Sequence, residues 1–257
     1  MNDMDRQQQI IEILRDRPFA SVRELQEQLG VSAATVRRDI DKIDEAGNAR
    51  KVYGGVSALD TTARNPAFAR PYDENRDLAV DAKLQIAELA ATMVADGDSV
   101  IINGGSTCFH LGAKLADRNI RVFTNSMPLA AYLGENGKCS LTVAGGELHR
   151  EPRVLYSTQP ITYFASKFFV GAQGINGEGL RESHPLMVKS IQELSRNVDQ
   201  IVVLADSRKF SIQARNLALP LSRVGTLITD EGLTDQDAKM LEEAGVTIRI
   251  AGGRSIS

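Results

Sequence analysis

The chain has 257 residues, 42% of them hydrophobic and 25% charged, with a formal net charge of −3; this balance is that of an ordinary globular protein and excludes disordered, collagenous and coiled-coil classes. The length predicts two domains, one of them large enough for a full α/β core, and the acidic balance excludes a protein coated in positive charge for unspecific nucleic-acid binding. No apolar run approaches the roughly 20 residues of a membrane span, the opening MNDMDRQQQ carries no apolar leader, and Cys108 and Cys139 stand alone, so the chain reads as cytoplasmic, with no membrane association, disulfide framework or metal site.

From Met4 to Arg15, Ile10, Ile11 and Leu14 form one stripe with Gln and Arg opposite, and Pro18 stops it; this predicts a short amphipathic helix. Ser21 opens a second helix, with Glu24 three residues on completing a capping box and Val22, Leu25 and Leu29 facing inward. Gly30 ends it. Ser32 then caps a third helix running to about Gly47, in which Val36, Ile40 and Ile43 recur at i, i+4 and i+7. NARKVYGGV, from Asn48 to Val56, has a basic pair, an aromatic and a Gly-Gly turn, and predicts a β-hairpin wing. Residues 1–57 therefore read as a winged helix-turn-helix.

With Val36, Ile40 and Ile43 turned to the core, Ala34, Arg38 and Asp41 lie opposite, flanked by Thr35 and Arg37. The first turn of such a helix reaches base edges in the major groove of double-stranded DNA. Arg37 and Arg38 suit guanine or phosphate, Thr35 suits phosphate or a thymine methyl, and the amides beside Ser32 favour phosphate. Small Ala34 permits close approach. Arg50, Lys51 and Tyr53 of the wing add contacts to the DNA backbone or minor groove. A competing reading has the arginines merely solvating the helix, with Arg38 paired to Asp41. Residues 1–56 hold nine basic and ten acidic side chains, so the DNA reading rests on caps, turn and periodicity alone.

Residues 58–75, with Pro66 and Pro71 and no period, read as a linker. Over 76–257, helical patterns near Leu78–Ala95, Ser106, Met127–Leu133, Leu186–Arg196 and Asp235–Ala244 alternate with the strands SVIIN, IRVFT, SLTVAG, KFFVGA, QIVVLAD, GTLITD and VTIRI. That alternation predicts an α/β domain with a largely parallel sheet covered on both faces. Asn103-Gly104-Gly105-Ser106-Thr107 joins a buried strand to a helix N-terminus, an arrangement that cradles phosphate, although such a turn also serves as plain strand-to-helix punctuation. Other strands end in Thr124-Asn125-Ser126, Gly145-Gly146 and Gly171-Ala172-Gln173-Gly174, which predicts a pocket at one sheet edge.

R6-x3-I10-x3-L14, seventeen residues, then S32-x2-T35-V36-R37-R38-D39-I40 resembles the signature of the DeoR family of bacterial repressors, and Arg50, Lys51, Tyr53, Gly54 and Gly55 match its wing; Asn48 and Ala49 depart from it. The later loops are similar to that family's sensor domain, which resembles ribose-5-phosphate isomerase. The resemblance implies phosphate and sugar contacts from Asn103–Thr107 and Thr124–Ser126, pocket walls at Gly145, Gly146, Gly171 and Gly174, and a charge partner at Lys209 in Asp206-Ser207-Arg208-Lys209-Phe210. A solvated loop lysine is the other reading of Lys209, and a surface histidine the plain reading of His184. Where the family carries a helix acid shortly before a lysine, Pro185, Leu186 and Met187 precede Lys189 here. INGGSTCFHLG, TNSMPLAAYL and SAATVRRDIDKIDEAG look most like the branch of the family that answers to L-ascorbate 6-phosphate.

The implied function is a DNA-binding repressor of a carbohydrate-utilisation operon, a homodimer or homotetramer on an operator, controlled by a phosphorylated sugar or sugar acid, with no cofactor and no catalysis. The alternative is an active sugar-phosphate isomerase with a DNA-binding appendage. It would require a committed acid and base, and the predicted pocket loops hold chiefly Gly, Asn, Ser and Thr.

Overall fold

The computed structural model describes residues 3–16, 19–52, 55–58, 72, 76–157 and 161–252. Tyr53 and Gly54 of the wing sequence, and all of the 58–75 linker except Ala58 and Tyr72, lie outside the described residues. The chain divides into two compact units, Met1–Arg64 with Glu231–Ala238, and Asn65–Asp230 with Lys239–Ser257.

In the smaller unit, helices α1 (Asp3–Asp16), α2 (Val22–Leu29) and α3 (Ala33–Glu45) enclose Ile10, Leu14, Leu25, Val36, Ile40 and Ile43. Ser21 Oγ accepts from the Glu24 N–H at 3.2 Å while the Glu24 carboxylate accepts from the Ser21 N–H at 2.8 Å, the reciprocal bonds of a capping box. Gly30 ends α2 at φ +65°, where a side chain would be strained, and Ser32 Oγ accepts from the Thr35 N–H to start α3. Strands β2 (Ala49–Val52) and β3 (Gly55–Ala58) form the expected hairpin. A strand with no counterpart in the sequence reading, β1 (Phe19–Ser21), adds to it antiparallel along β3.

One polar contact runs through this apolar core. Arg6 donates from Nε and Nη2 to both carboxylate oxygens of Asp39, at 2.5 and 2.9 Å, and Asp39 is 1% exposed. The fork geometry pins α3 to α1 in one rotation, since loss of either partner would strand a charge inside.

The larger unit is built on seven parallel strands in the order β15-β14-β12-β9-β4-β5-β6. Their ranges are β4 (Ser99–Ile102), β5 (Arg121–Thr124), β6 (Ser140–Val143), β9 (Ala165–Val170), β12 (Val198–Leu204), β14 (Thr226–Thr229) and β15 (Thr247–Ile250). Val100, Ile102, Val122, Phe169, Val202 and Ile228 pack with Ile86, Ala90, Leu111, Leu129 and Leu133 of α4 (Val80–Ala91), α5 (Ser106–Lys114) and α6 (Met127–Asn136). The alternate residues Ile101, Phe168, Val203 and Leu227 are buried as well, so both faces are covered, as parallel strands require.

Strand order turns around between β4 and β9. From β4 the chain winds outward through β5 to β6, then returns to β9 on the other side of β4 and winds outward again. A crevice opens where two such windings part, outside the carboxyl ends of the strands. Two small antiparallel structures stand beside the main sheet: the hairpin β7 (Glu147–His149) with β8 (Val154–Tyr156), and the three-stranded β10 (Gly174–Asn176), β11 (Gly179–Glu182), β13 (Asn216–Pro220). The helix α7 (Pro185–Leu194) follows β11, and α8 (Asp235–Glu243) precedes β15.

Core and surface of α3 have separable effects. Ile40→Ala is expected to cost about 2–5 kcal/mol of the smaller unit's stability, whereas Arg38→Ala is expected to stay within about 0.5 kcal/mol. Urea melts of the two variants check this, and equal losses would contradict the assignment of faces.

Candidate functional site

Ala34, Arg37 and Arg38 are exposed on α3, and Thr35 is half-buried. The Thr35 hydroxyl hydrogen-bonds with Ser32 Oγ at 2.9 Å, so it belongs to the helix cap. Arg38 has no ion-pair partner among the described residues, and Asp41, its neighbour one turn on, takes Lys51 instead, at 2.6 Å. The Lys51 backbone N–H also donates to Asp44. Lys51 therefore ties the wing to α3, its ammonium pKa raised by the bond to Asp41, while Arg50 beside it stands exposed. Two guanidinium groups on the first turns of α3 are thus left facing solvent, with the wing fixed beside them.

In the larger unit, the turn in strand order holds a cavity of about 500 Å³, the size range of small-ligand sites. Gly104, Gly105, Ser106 and Thr107 line it from the end of β4, Gly171 to Gln173 from the end of β9, and Leu204 and Lys209 from the end of β12. Lys83 of α4, Glu182 at the end of β11 with Ser183 and His184 after it, Met187, Arg215, Glu151, Pro152 and Tyr72 also line it. Gly105 lies at φ +143° and caps α5 without a side chain, leaving the first amides of that helix uncapped by any side-chain acceptor. Gly104 is required by proximity: a Cβ there would sit 2.2 Å from Val154 Cγ2.

Several residues expected to touch a ligand have another place. Asn103, Thr124, Asn125 and Ser126 are each no more than 2% exposed and lie behind the lining. Asn125 Oδ1 accepts from the Gly104 N–H at 2.8 Å, and Asn125 Nδ2 donates to Asn103 Oδ1 and Ser190 Oγ. Thr124 Oγ1 donates to the Ile102 carbonyl, and Ser126 caps α6. These side chains hold the Gly104–Thr107 loop in shape. Gly145 and Gly146 end β6, two strands from the turn in strand order, and fall outside the lining, as does Gly174, which opens β10.

The DeoR-like helix-turn-helix domain matches residues 6–62, and the DeoR C terminal sensor domain matches residues 78–231. The chain belongs to the DeoR family. Among its curated relatives, the HTH-type transcriptional regulator UlaR of Shigella dysenteriae serotype 1 and that of Escherichia coli K12/DH10B are each 33% identical over 251 residues, 96% of this chain and 99% of theirs. Among solved structures, ribose 5-phosphate isomerase A from Methanocaldococcus jannaschii aligns with 51% of this chain and 54% of its own, at 19% identity and a TM-score of 0.38. As a DeoR-family member the chain is a DNA-binding transcriptional regulator, its helix-turn-helix followed by a sensor domain.

Charge in the DeoR sensor cavity comes largely from residues outside the predicted loops. Lys83 is 2% exposed, and burial brings its ammonium pKa down to about 8. It shares a helical face with Ile86, Ala87 and Ala90, so a lysine in an apolar stripe was the available sign. Glu182 is also buried, and loss of hydration pushes its carboxyl up to about 7, against the pull of Lys209. Asp206, behind the wall, is held below the usual carboxylate range because Lys209, Arg208 and Lys83 outweigh the effect of its burial. His184 caps α7 by accepting from the Leu186 N–H through Nδ1 at 3.2 Å while lining the cavity. Cys108 is likewise in the lining, its thiol pushed by burial up to about 12. Among the described residues no cluster suits a metal ion.

The raised Glu182 carboxyl makes stability depend on pH. An unfolded carboxyl titrates near 4.5 and the folded one near 7, so the folded state holds the proton more tightly. Its contribution is full below about pH 4.5 and is lost as pH rises through about 7, by about 3 kcal/mol. Relative to Glu182→Gln, the native chain is expected to lose that amount between pH 4.5 and 7.5 in the sensor-domain unfolding transition. A constant difference across that range would contradict the burial of the acid.

Proposed function

We propose that the chain is a ligand-controlled repressor of a carbohydrate-utilisation operon in which a phosphorylated sugar or sugar acid, with L-ascorbate 6-phosphate as the first candidate, releases the operator. The observation that carries the reading is the cavity at the turn in strand order. There the uncapped N-terminus of α5, Lys83, Lys209 and Arg215 line one cavity of about 500 Å³, a set of donors and charges fitted to a phosphate ester. Likeness to transcriptional regulators over 96% of the chain supports the regulator reading. A ligand can shift DNA binding only by differential affinity for two states of the protein, and a homodimer or homotetramer pairing its winged helices on half-sites supplies the operator grip. The protein is read as cytoplasmic and as binding its ligand without converting it.

Within the smaller unit, Arg37 and Arg38 are assigned to base edges or phosphates, Ala34 to close approach, Ser32 and Thr35 to the phosphate at the capped helix start, and Arg50 to the DNA backbone. Lys51 acts by holding the wing. The sensor residues Gly104–Thr107, Gly171 and Lys209 are assigned to the ligand, with Asn103 and Thr124–Ser126 as their support.

Titration of labelled promoter DNA at fixed salt, with and without L-ascorbate 6-phosphate and a panel of sugar phosphates, tests the reading. One of them is expected to weaken binding, and no effect from any would overturn the sensor role. Arg38→Ala is expected to cost about 1–3 kcal/mol at the specific site, while Arg50→Ala weakens all sequences alike and lowers the salt slope by about 1. Unchanged site affinity in Arg38→Ala would remove that residue from the interface.

A further inference from the structure

Lys83, Lys209, Arg215 and the α5 amides suffice for an anion, yet the same cavity holds a buried acid. Glu182 is 9% exposed, lines the wall, and forms no ion pair among the described residues. Lys209 acts on it through its field, while the nearby N–H groups of Gln173 and Ser183 donate to the Arg181 carbonyl and to Gln173 Oε1. An acid kept there without a salt bridge weakens the fold above neutral pH, so its presence calls for a role other than stability. The next residue repeats the pattern. Ser183 Oγ is buried, lines the cavity, and has no hydrogen-bond partner among the described residues. Both groups come from the stretch that leads β11 into α7, and both are on hand for hydroxyl groups, which donate to a carboxyl oxygen and exchange hydrogen bonds with a serine.

We propose that Glu182 and Ser183 form a hydroxyl-reading end of the sensor cavity, so that the protein selects a polyhydroxylated phosphate ester over an ester that carries phosphate alone. The proposal rests on the sensor reading above and adds the source of its selectivity. Cations and amides grip the phosphate that all such esters share, and the Glu182–Ser183 pair distinguishes what the phosphate is attached to. A ligand without hydroxyls leaves the buried Ser183 hydroxyl unsatisfied and offers the Glu182 carboxyl no partner in the cavity, which disfavours it. The raised carboxyl pKa fits this role, because an acid near neutrality can either donate to or accept from a hydroxyl.

The experiment compares full-length protein with E182A, E182Q and S183A by calorimetric titration of L-ascorbate 6-phosphate and of n-propyl phosphate, with melting temperatures to verify folding. The native chain is expected to prefer L-ascorbate 6-phosphate. E182A should weaken that ligand by about 10- to 100-fold, the range of a hydrogen bond to an ionisable group, and change n-propyl phosphate by less than about threefold. S183A should do the same to a smaller degree, and E182Q, which keeps an acceptor, should lose less than E182A. Equal loss for both ligands, or no loss for either, overturns the proposal while leaving the sensor reading intact. A native chain that binds neither ligand overturns the proposal for L-ascorbate 6-phosphate, and one that binds no sugar phosphate of the panel overturns the sensor reading as well. If E182A does not fold, E182Q and S183A decide by the same ratio.

Discussion

The sensor domain depends on one amide side chain. Asn125, 1% exposed, accepts from the Gly104 N–H and donates to Asn103 and Ser190. It thereby joins the ends of β4 and β5 to α7, three elements far apart in sequence. A buried amide that uses its acceptor and both ends of its donor group fixes distances more tightly than apolar packing does, because any displacement leaves a polar atom unsatisfied. The Gly104–Thr107 loop keeps its curvature on this account, and with it the position of the helix amides that open α5.

The sheet puts that loop where it has chemistry to do. Parallel strands all deliver their carboxyl ends to one edge, and the turn in strand order between β4 and β9 leaves room there. Tyr72, within the 58–75 stretch read as a linker, joins this edge: its N–H donates to the Glu151 carbonyl, and the Arg153 guanidinium lies 5.7 Å from its ring centroid. The same hairpin that holds Tyr72 seats Val154 against Gly104. The Gly104–Thr107 loop, the β7–β8 hairpin and Tyr72 are thus one connected piece of packing.

Local signals in the sequence located most of the elements and missed those set by distant partners. Ser21 with Glu24, Gly30 and Ser32 announce helix ends because a cap is satisfied within three or four residues. β1 has three residues and exists by pairing with β3, more than thirty positions away, and neither β7 nor β10 is longer; no period can be read from so little chain. The cavity followed the same division. The glycine-rich strand ends were legible, but the cavity is lined by those of β4 and β9 and not by Gly145 and Gly146 after β6. Arg38 and Asp41 looked like partners at helical spacing, until the wing brought Lys51 to Asp41. Glu182 carries no mark in the sequence, since β13, which pairs with its strand, and Lys209, whose charge acts on it, come from more than twenty residues away.

The buried Arg6–Asp39 pair has a consequence for how such a regulator changes over generations. Asp39 sits on α3 but turns its charge inward, so that the rotation of this helix against α1 is set from beneath. Ala34, Arg37 and Arg38 stand outside that lock. A duplicated copy can therefore exchange these exposed side chains in single steps, each one against an unmoved frame, without having to fold anew.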